Sequence, residues 1–264
     1  MNSTLGRKQR TSNADWVRTF ENIEDIVPRK EVERLTKQTL AEIQKKTKGK
    51  KAAYAWSGGK DSIVLGEICR MAGITPCVLV RCDLEYPAFL EWLEAHKPPE
   101  LSVINTGQGM EWLAAHPKML FPNDSRYTAQ WFQIVQHRGQ AQYYKENKLD
   151  MLLLGRRRAD GNYVGKGSNI YTNGQGVTRY SPLSDWTHEQ ILAFIHYNRL
   201  EMPPVYDWKN GFVCGTHPWP ARQCTGSLEN TWSEIHEIDP SIVEGAAEYF
   251  QSAKDFLERQ GNPD

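Results

Sequence analysis

At 264 residues, with 39% hydrophobic and 24% charged residues, the chain is long enough for one large domain and too apolar for global disorder. A formal net charge of +0 excludes an overall basic balance of the kind that draws in nucleic acid, leaving only local faces for that role. No apolar run reaches the length of a membrane span, so no membrane partner is expected.

Residues 1–28 read as an arm, with a short helix across Asn13–Phe20 that ends before Pro28. The first ten residues are polar and basic with no apolar centre, unlike a secretory signal. From Glu31 to Lys46, Val32, Leu35, Leu40 and Ile43 alternate with charges as on an amphipathic helix. The lysine-rich run up to Lys51 reads as a solvated loop. Short apolar runs then alternate with helical patterns. Ala52–Trp56, Pro76–Asp83, Leu101–Asn105 and Met151–Gly155 read as buried strands; Ile63–Met71, Pro87–His96, Gly109–His116 and Tyr127–Lys148 read as helices. This alternation predicts an α/β fold, a parallel sheet covered on both faces, with ligands outside the carboxyl ends of the strands. Residues 159–180, rich in Gly and Asn, read as a long loop. Residues 228–261 read as helical, a covering cap or a partner surface.

The stretch that organises the chain is Ser57-Gly58-Gly59-Lys60-Asp61-Ser62, set between the first strand and its helix. Adjacent glycines open backbone torsions closed to other residues, so successive N–H groups can converge on an anion. The helix N-terminus adds partial positive charge. Lys60 supplies a full charge, and Ser57 and Ser62 supply hydroxyls. Asp61 is out of place in a pure anion site and makes sense as a magnesium ligand or as an orienter of a neighbouring donor. The Gly-x4-Gly-Lys-Ser/Thr spacing of the common nucleotide loop is absent.

Two further loops are placed at the same sheet edge. In Gly155-Arg156-Arg157-Arg158-Ala159-Asp160, with Lys166 nearby, guanidiniums follow a strand end and suit a phosphate-rich ligand; Arg157 or Arg158 is favoured over all three. Asp83 directly follows the second strand and suits a ribose or a metal, with a helix N-cap as the structural alternative. Ser181–Thr187 opens a helix, Thr187 capping it with Gln190 three residues on.

The string Ser57–Ser62 resembles the signature of the PP-loop superfamily, the adenine-nucleotide alpha-hydrolases. Pro182-Leu183-Ser184-Asp185-Trp186-Thr187, then Pro203-Pro204-Val205-Tyr206 and Gly211–His217, is similar to the segment shared by phosphoadenylyl-sulfate reductases and the nucleotide-binding subunit of sulfate adenylyltransferase. The resemblance runs from about Ala52 to Arg222. It implies a doubly wound, Rossmann-like sheet of the HUP type with a helical C-terminal cap, and a division into residues 1–48 (arm and helix), 49–225 (nucleotide domain) and 226–264 (cap). It implies ATP or phosphoadenylyl sulfate with Mg2+, attack on the alpha-phosphorus and release of pyrophosphate. Ser57, Gly58, Gly59, Lys60, Asp61, Ser62, Asp83, Gly155 and Arg156 would bind nucleotide. Lys60, Asp61, Arg157 and Arg158 would serve catalysis, with Asp61 as the magnesium ligand.

The departures are specific. The reductases' C-terminal Glu-Cys-Gly-x-His tail is missing: no cysteine follows Cys224. None of Cys69, Cys77, Cys82, Cys214 and Cys224 forms a Cys-x-x-Cys pair, so no iron–sulfur cluster is expected, and an odd count fits a reducing cytoplasm. Cys214 or Cys224 is left as a redox or sulfur-carrying thiol, ordinary structural cysteines being the simpler reading. The acceptor stays open among transfer RNA, DNA and a small molecule, and the C-terminal helices are a candidate surface for a homo-oligomer or partner subunit.

Overall fold

The computed structural model of the chain describes Leu5, residues 11–222 and residues 227–261. Three N-terminal helices, α1 (Asn13–Glu21), α2 (Ile23–Ile26) and α3 (Arg29–Thr47), lead into β1 (Ala52–Ala55) and α4 (Lys60–Met71). Then come β2 (Cys77–Arg81), α5 (Pro87–His96), β3 (Leu101–Asn105), α6 (Met110–Ala115), α7 (Ser125–Trp131), a π-helical stretch at Phe132–His137, α8 (Arg138–Glu146) and β4 (Met151–Leu153). A hairpin of β5 (Ile170–Thr172) and β6 (Thr178–Tyr180) precedes α9 (His188–Asn198) and α10 (Gly211–Cys214), and α11 (Leu228–Ile238), α12 (Pro240–Ala247) and α13 (Gln251–Gly261) follow.

The sheet has six strands in the order β3-β2-β1-β4-β6-β5, parallel except for β5. The doubly wound α/β fold expected from the sequence is therefore present, and its covering follows from the two-residue period of a strand. Tyr54, Cys77, Leu79 and Leu153 join the core beneath α4, with Val64, Leu65 and Ile68. Their neighbours Ala53, Val78 and Leu152 face the other way, against Ala141 and Tyr143 of α8. On that side α8 lies very close to β2: a Cβ at Gly139 would stand 2.3 Å from a Val80 methyl, so only glycine fits.

Two expectations need correction. The glycine-rich stretch 159–180 is no plain loop: it carries β5 and β6, and β6 extends the sheet beside β4. Residues 11–28 are no loose arm, because α1 and α2 pack on α9 and Trp16 is fully buried. The other local readings hold. Thr187 accepts from Gln190 N and Gln190 Oε1 accepts from Thr187 N, a reciprocal cap that starts α9. The C-terminal segment is helical over α11 to α13, which pack on one another. Among the described residues no helix is long and apolar enough to cross a membrane.

Candidate functional site

A cavity of 590 Å3 opens at the carboxyl ends of β1, β2 and β4, at the edge where the sequence placed three loops. Its size falls in the range of pockets that hold small organic ligands, roughly 300–1,000 Å3. Ser57, Gly59, Lys60, Asp61 and Ser62 form one wall.

The glycine turn is shaped by two constraints. Gly58 has φ +67, and a Cβ there would lie 2.9 Å from the Phe89 ring. Gly59 caps α4 in an extended conformation and lies under Thr216 and Tyr206. The turn's donors are met by hydroxyls. Ser57 N–H donates to Ser62 Oγ (3.0 Å), Gly59 N–H to Ser57 Oγ (3.4 Å) and Lys60 N–H to Tyr206 Oη (2.8 Å). Ser62 Oγ donates its own proton to the Gly59 carbonyl (2.8 Å) and Ser57 Oγ donates to Ser62 Oγ (3.2 Å), whereas Tyr206 Oη accepts from Lys60 N–H and has its own proton to offer an anion in the cavity.

Behind the turn lies a buried ion network. Lys60, 2% exposed, places its Nζ 2.6 Å from Asp61 Oδ2 and 5.2 Å from the centre of the Trp16 ring. Arg157 is wholly buried. Its Nε lies 2.7 Å from Asp61 Oδ1, and its Nη2 donates to Asp160 Oδ1 and His188 Nδ1, both at 3.0 Å. Nδ1 of His188 is therefore an acceptor and the imidazole neutral. Burial, then the adjacent Arg157 and Lys60, pull its pKa down to about 3. Two cations thus face two carboxylates. Both Asp61 oxygens lie against a cation, so Asp61 does not fit the expected role of magnesium ligand, and among the described residues no group of three metal-ligating side chains is gathered.

The three successive arginines diverge. Arg156 lines the cavity, where its Nη2 bonds His137 Nε2 (2.7 Å) and its Nη1 donates to Tyr171 Oη (3.3 Å). Arg157 sits behind the wall. Arg158 is exposed and pairs with Asp185 and the Ser168 carbonyl. The cavity wall thus takes Arg156, expected to bind nucleotide, while Arg157 and Arg158, expected to serve catalysis, lie behind it and outside it. Gly155 lies against the backbone of Asp61: a Cβ there would meet it at 3.1 Å.

Asp83 is exposed, accepts from Asn105 Nδ2 and does not line the cavity. Glu85, two residues on, does line it; burial pushes its carboxyl up to about 7 against the pull of Arg81 and the Cys82 amide. Cys214 also lines the cavity, beside Gly215, Thr216 and His217 on the turn over the glycine loop. Cys224 lies outside the described residues.

Several lining residues went unread in the sequence. Tyr206 and Thr216 lie in the recognised C-terminal segments, where a hydroxyl close to the glycine loop was a signal available to find. His137 and Gln140, on the π-helical stretch and the start of α8, gave none.

Comparison with known proteins follows from this geometry. No curated protein matches the chain by sequence. Phosphoadenylyl-sulfate (PAPS) reductase from Candida auris, solved as a phosphate complex, is 17% identical; the match covers 69% of this chain and 92% of that one, with a TM-score of 0.50. NH3-dependent NAD synthetase from Campylobacter jejuni is 15% identical, over 88% of this chain and 97% of that one, with a TM-score of 0.46. At 17% identity the likeness to the reductase shows the fold alone. The family model for the phosphoadenosine phosphosulfate reductase domain matches residues 51–216, from the residue before β1 to the turn over the glycine loop. The resemblance read from the motifs is thereby borne out: the chain belongs to the phosphoadenosine phosphosulfate reductase domain family.

Proposed function

We propose that the protein is a PP-loop adenine-nucleotide enzyme that holds the nucleotide's phosphates at Ser57–Ser62 and acts at the alpha-phosphorus. The observation that carries this reading is the placement of the double-glycine turn and the N-terminus of α4 in the wall of a 590 Å3 cavity. With ATP, an acceptor oxygen would bond to the alpha-phosphorus as its bond to the bridging oxygen breaks; pyrophosphate departs with that electron pair, and AMP stays on the acceptor. Tyr206 would donate to a phosphate oxygen, and Ser57 would too on turning its hydroxyl away from Ser62 Oγ, with the positive end of α4 behind them. Lys60, Asp61 and Arg157 act in this reading as positioning residues: their mutual pairing fixes the start of α4, and the Lys60 ammonium lends charge from the wall. Arg158 ties its turn to Asp185 and takes no part in the chemistry. Any magnesium would travel on the nucleotide's phosphates rather than on a protein cage, and no step here depends on it.

One observation favours a second reading. Cys214 lines the same cavity, as a thiol acting on phosphoadenylyl sulfate would have to. Its sulfur would bond to the sulfonate sulfur, expelling adenosine 3′,5′-bisphosphate, and a second thiol reagent would release sulfite. Mass spectrometry of products from ATP with magnesium, and separately from phosphoadenylyl sulfate with a dithiol, decides between them. AMP and pyrophosphate, unchanged in Cys214→Ser, support the first reading. Sulfite that vanishes in Cys214→Ser supports the second, and no turnover of either nucleotide contradicts both.

A further inference from the structure

One continuous helical run, from Ser125 through the π-helical stretch to Glu146, supplies the cavity wall on the face of the sheet away from α4. Its lining side chains recur every fourth residue: Thr128, Phe132, Gln136 and Gln140 in one row, with Gln133 and His137 beside it. An α-helix cannot hold such a row, because four residues overshoot its turn of about 3.6 and the row winds away. The six-residue π-helical stretch has wider turns, closed by i to i+5 bonds, so four residues fall short of a turn and the drift is undone. The π-helix thus keeps three glutamines and an aromatic ring facing the same space. His217 braces that Phe132 ring edge-on, with centroids 5.1 Å apart.

The hydrogen-bonding sense of two of these side chains is fixed from behind. Gln140, nine-tenths buried, accepts at Oε1 from Arg179 Nη2 of β6 (3.4 Å). A guanidinium can only donate, so the amide oxygen is turned toward Arg179 and the amide N–H groups are turned away from it. His137 accepts at Nε2 from Arg156 (2.7 Å), so its proton sits on Nδ1. Burial, then Arg179 and Arg156, pull its pKa down to about 4, and the imidazole is neutral. Among the described residues neither the Gln140 N–H groups nor the His137 Nδ1–H has an acceptor, and the side-chain amides of Gln133 and Gln136 have no hydrogen-bond partner. The row therefore offers a ligand neutral donors of fixed sense, two adaptable amides and a ring.

Hydrogen bonds to the edge and an aromatic side chain against the face are how proteins hold an unpaired base. The fixed donors call for a carbonyl oxygen. Adenine has none, and its amine would meet them donor to donor; uracil, thymine, cytosine and guanine each carry at least one. We propose that the Phe132–Gln136–Gln140 row, with Gln133 and His137, binds a carbonyl-bearing nucleobase and so selects the acceptor of the adenylyl group. The base arrives either as a free nucleoside or as an unpaired residue of a nucleic-acid strand. Its role as acceptor rests on the nucleotide reading of the glycine turn; its binding does not.

Calorimetric titration of uridine, guanosine and adenosine, and of short oligouridylate and oligoadenylate, into the full chain saturated with α,β-methylene ATP tests it, on wild type and on Gln140→Met. Uridine or guanosine bound about tenfold or more tighter than adenosine, with that preference lost in the variant, supports a free nucleoside. The same preference seen only for oligouridylate over oligoadenylate assigns the base to a strand. No preference for carbonyl-bearing bases, a preference unchanged in Gln140→Met, or no binding of any probe overturns the site. So does a matching fall in affinity for α,β-methylene ATP in the variant, which would give the row to the nucleotide's own adenine. Should Gln140→Met fail to fold, Gln136→Leu changes a half-buried amide with no partner to lose. It is expected to weaken the preferred base about threefold or more, and unchanged affinity overturns the proposal. Failure of α,β-methylene ATP to bind wild type would count against the glycine-turn reading, while the same probes titrated into the free chain still test this one.

Discussion

Arg156 and Arg157 are neighbours in sequence, and each bonds a neutral histidine, yet their surroundings differ in one decisive respect. The Arg157–His188 pair is closed by Asp61 and Asp160, so its charges cancel inside the protein. The Arg156–His137 pair is flanked by a second arginine and by amide and phenol groups, so its charge is turned toward the cavity. A buried ion network whose charges cancel fixes geometry; the Arg156 guanidinium is left facing the cavity with only neutral partners.

The sharpest way to break that comparison is to remove each arginine in turn. Arg157→Met takes the guanidinium from part-buried Asp160 and leaves Asp61 with Lys60 alone, and is expected to cost about 3–5 kcal/mol of unfolding free energy in urea titration. Arg156→Met relieves a like-charge contact and should stay within about 1 kcal/mol of wild type. Equal losses would show that both pairs are structural. Glu85 sharpens the picture through pH. Its folded pKa, about 7, lies above its ordinary 4.5, so its contribution is fully present below pH 4.5, where both states are protonated, and is lost as pH rises through 7. The loss amounts to something on the order of 3 kcal/mol. Glu85→Gln should flatten the stability difference between pH 5 and pH 8.

Smaller effects test the turn itself. Gly58→Ala forces a Cβ into the Phe89 ring at a positive φ and should cost about 1–2 kcal/mol. Nucleotide affinity should fall with it. Tyr206→Phe deprives the Lys60 amide of its acceptor, for a loss of about 1 kcal/mol, and removes a phosphate donor from the cavity. Nucleotide should then stabilise this variant, in thermal shift, by less than it stabilises wild type. Least of all, Arg158→Ala and Asp83→Asn act at exposed positions outside the cavity, and should leave stability within about 0.5 kcal/mol and nucleotide affinity unchanged.

The sequence was readable where structure is local. The strand–turn–helix of Ala52–Met71 and the Thr187–Gln190 cap are set by residues a few positions apart, and both are found where the pattern put them. The β5–β6 hairpin was illegible because three-residue strands among Gly and Asn show no period; they are strands through pairing with β4 and with each other. Within the site, the choice among three consecutive arginines is made by partners 31 residues downstream at His188 and 19 upstream at His137. No spacing rule carries that information. Arg179 escaped notice for the same reason: a charged residue between Thr178 and Tyr180 looks exposed until the sheet forms.

The central claim is that the double-glycine turn grips a nucleotide's phosphates. Hydrogen exchange followed by mass spectrometry, with and without ATP and magnesium, tests it most directly. The account predicts slowed exchange in peptides spanning residues 57–63 and 155–157, lost in Gly58→Ala. Unchanged exchange there at saturating nucleotide, or protection confined to other parts of the chain, would contradict it.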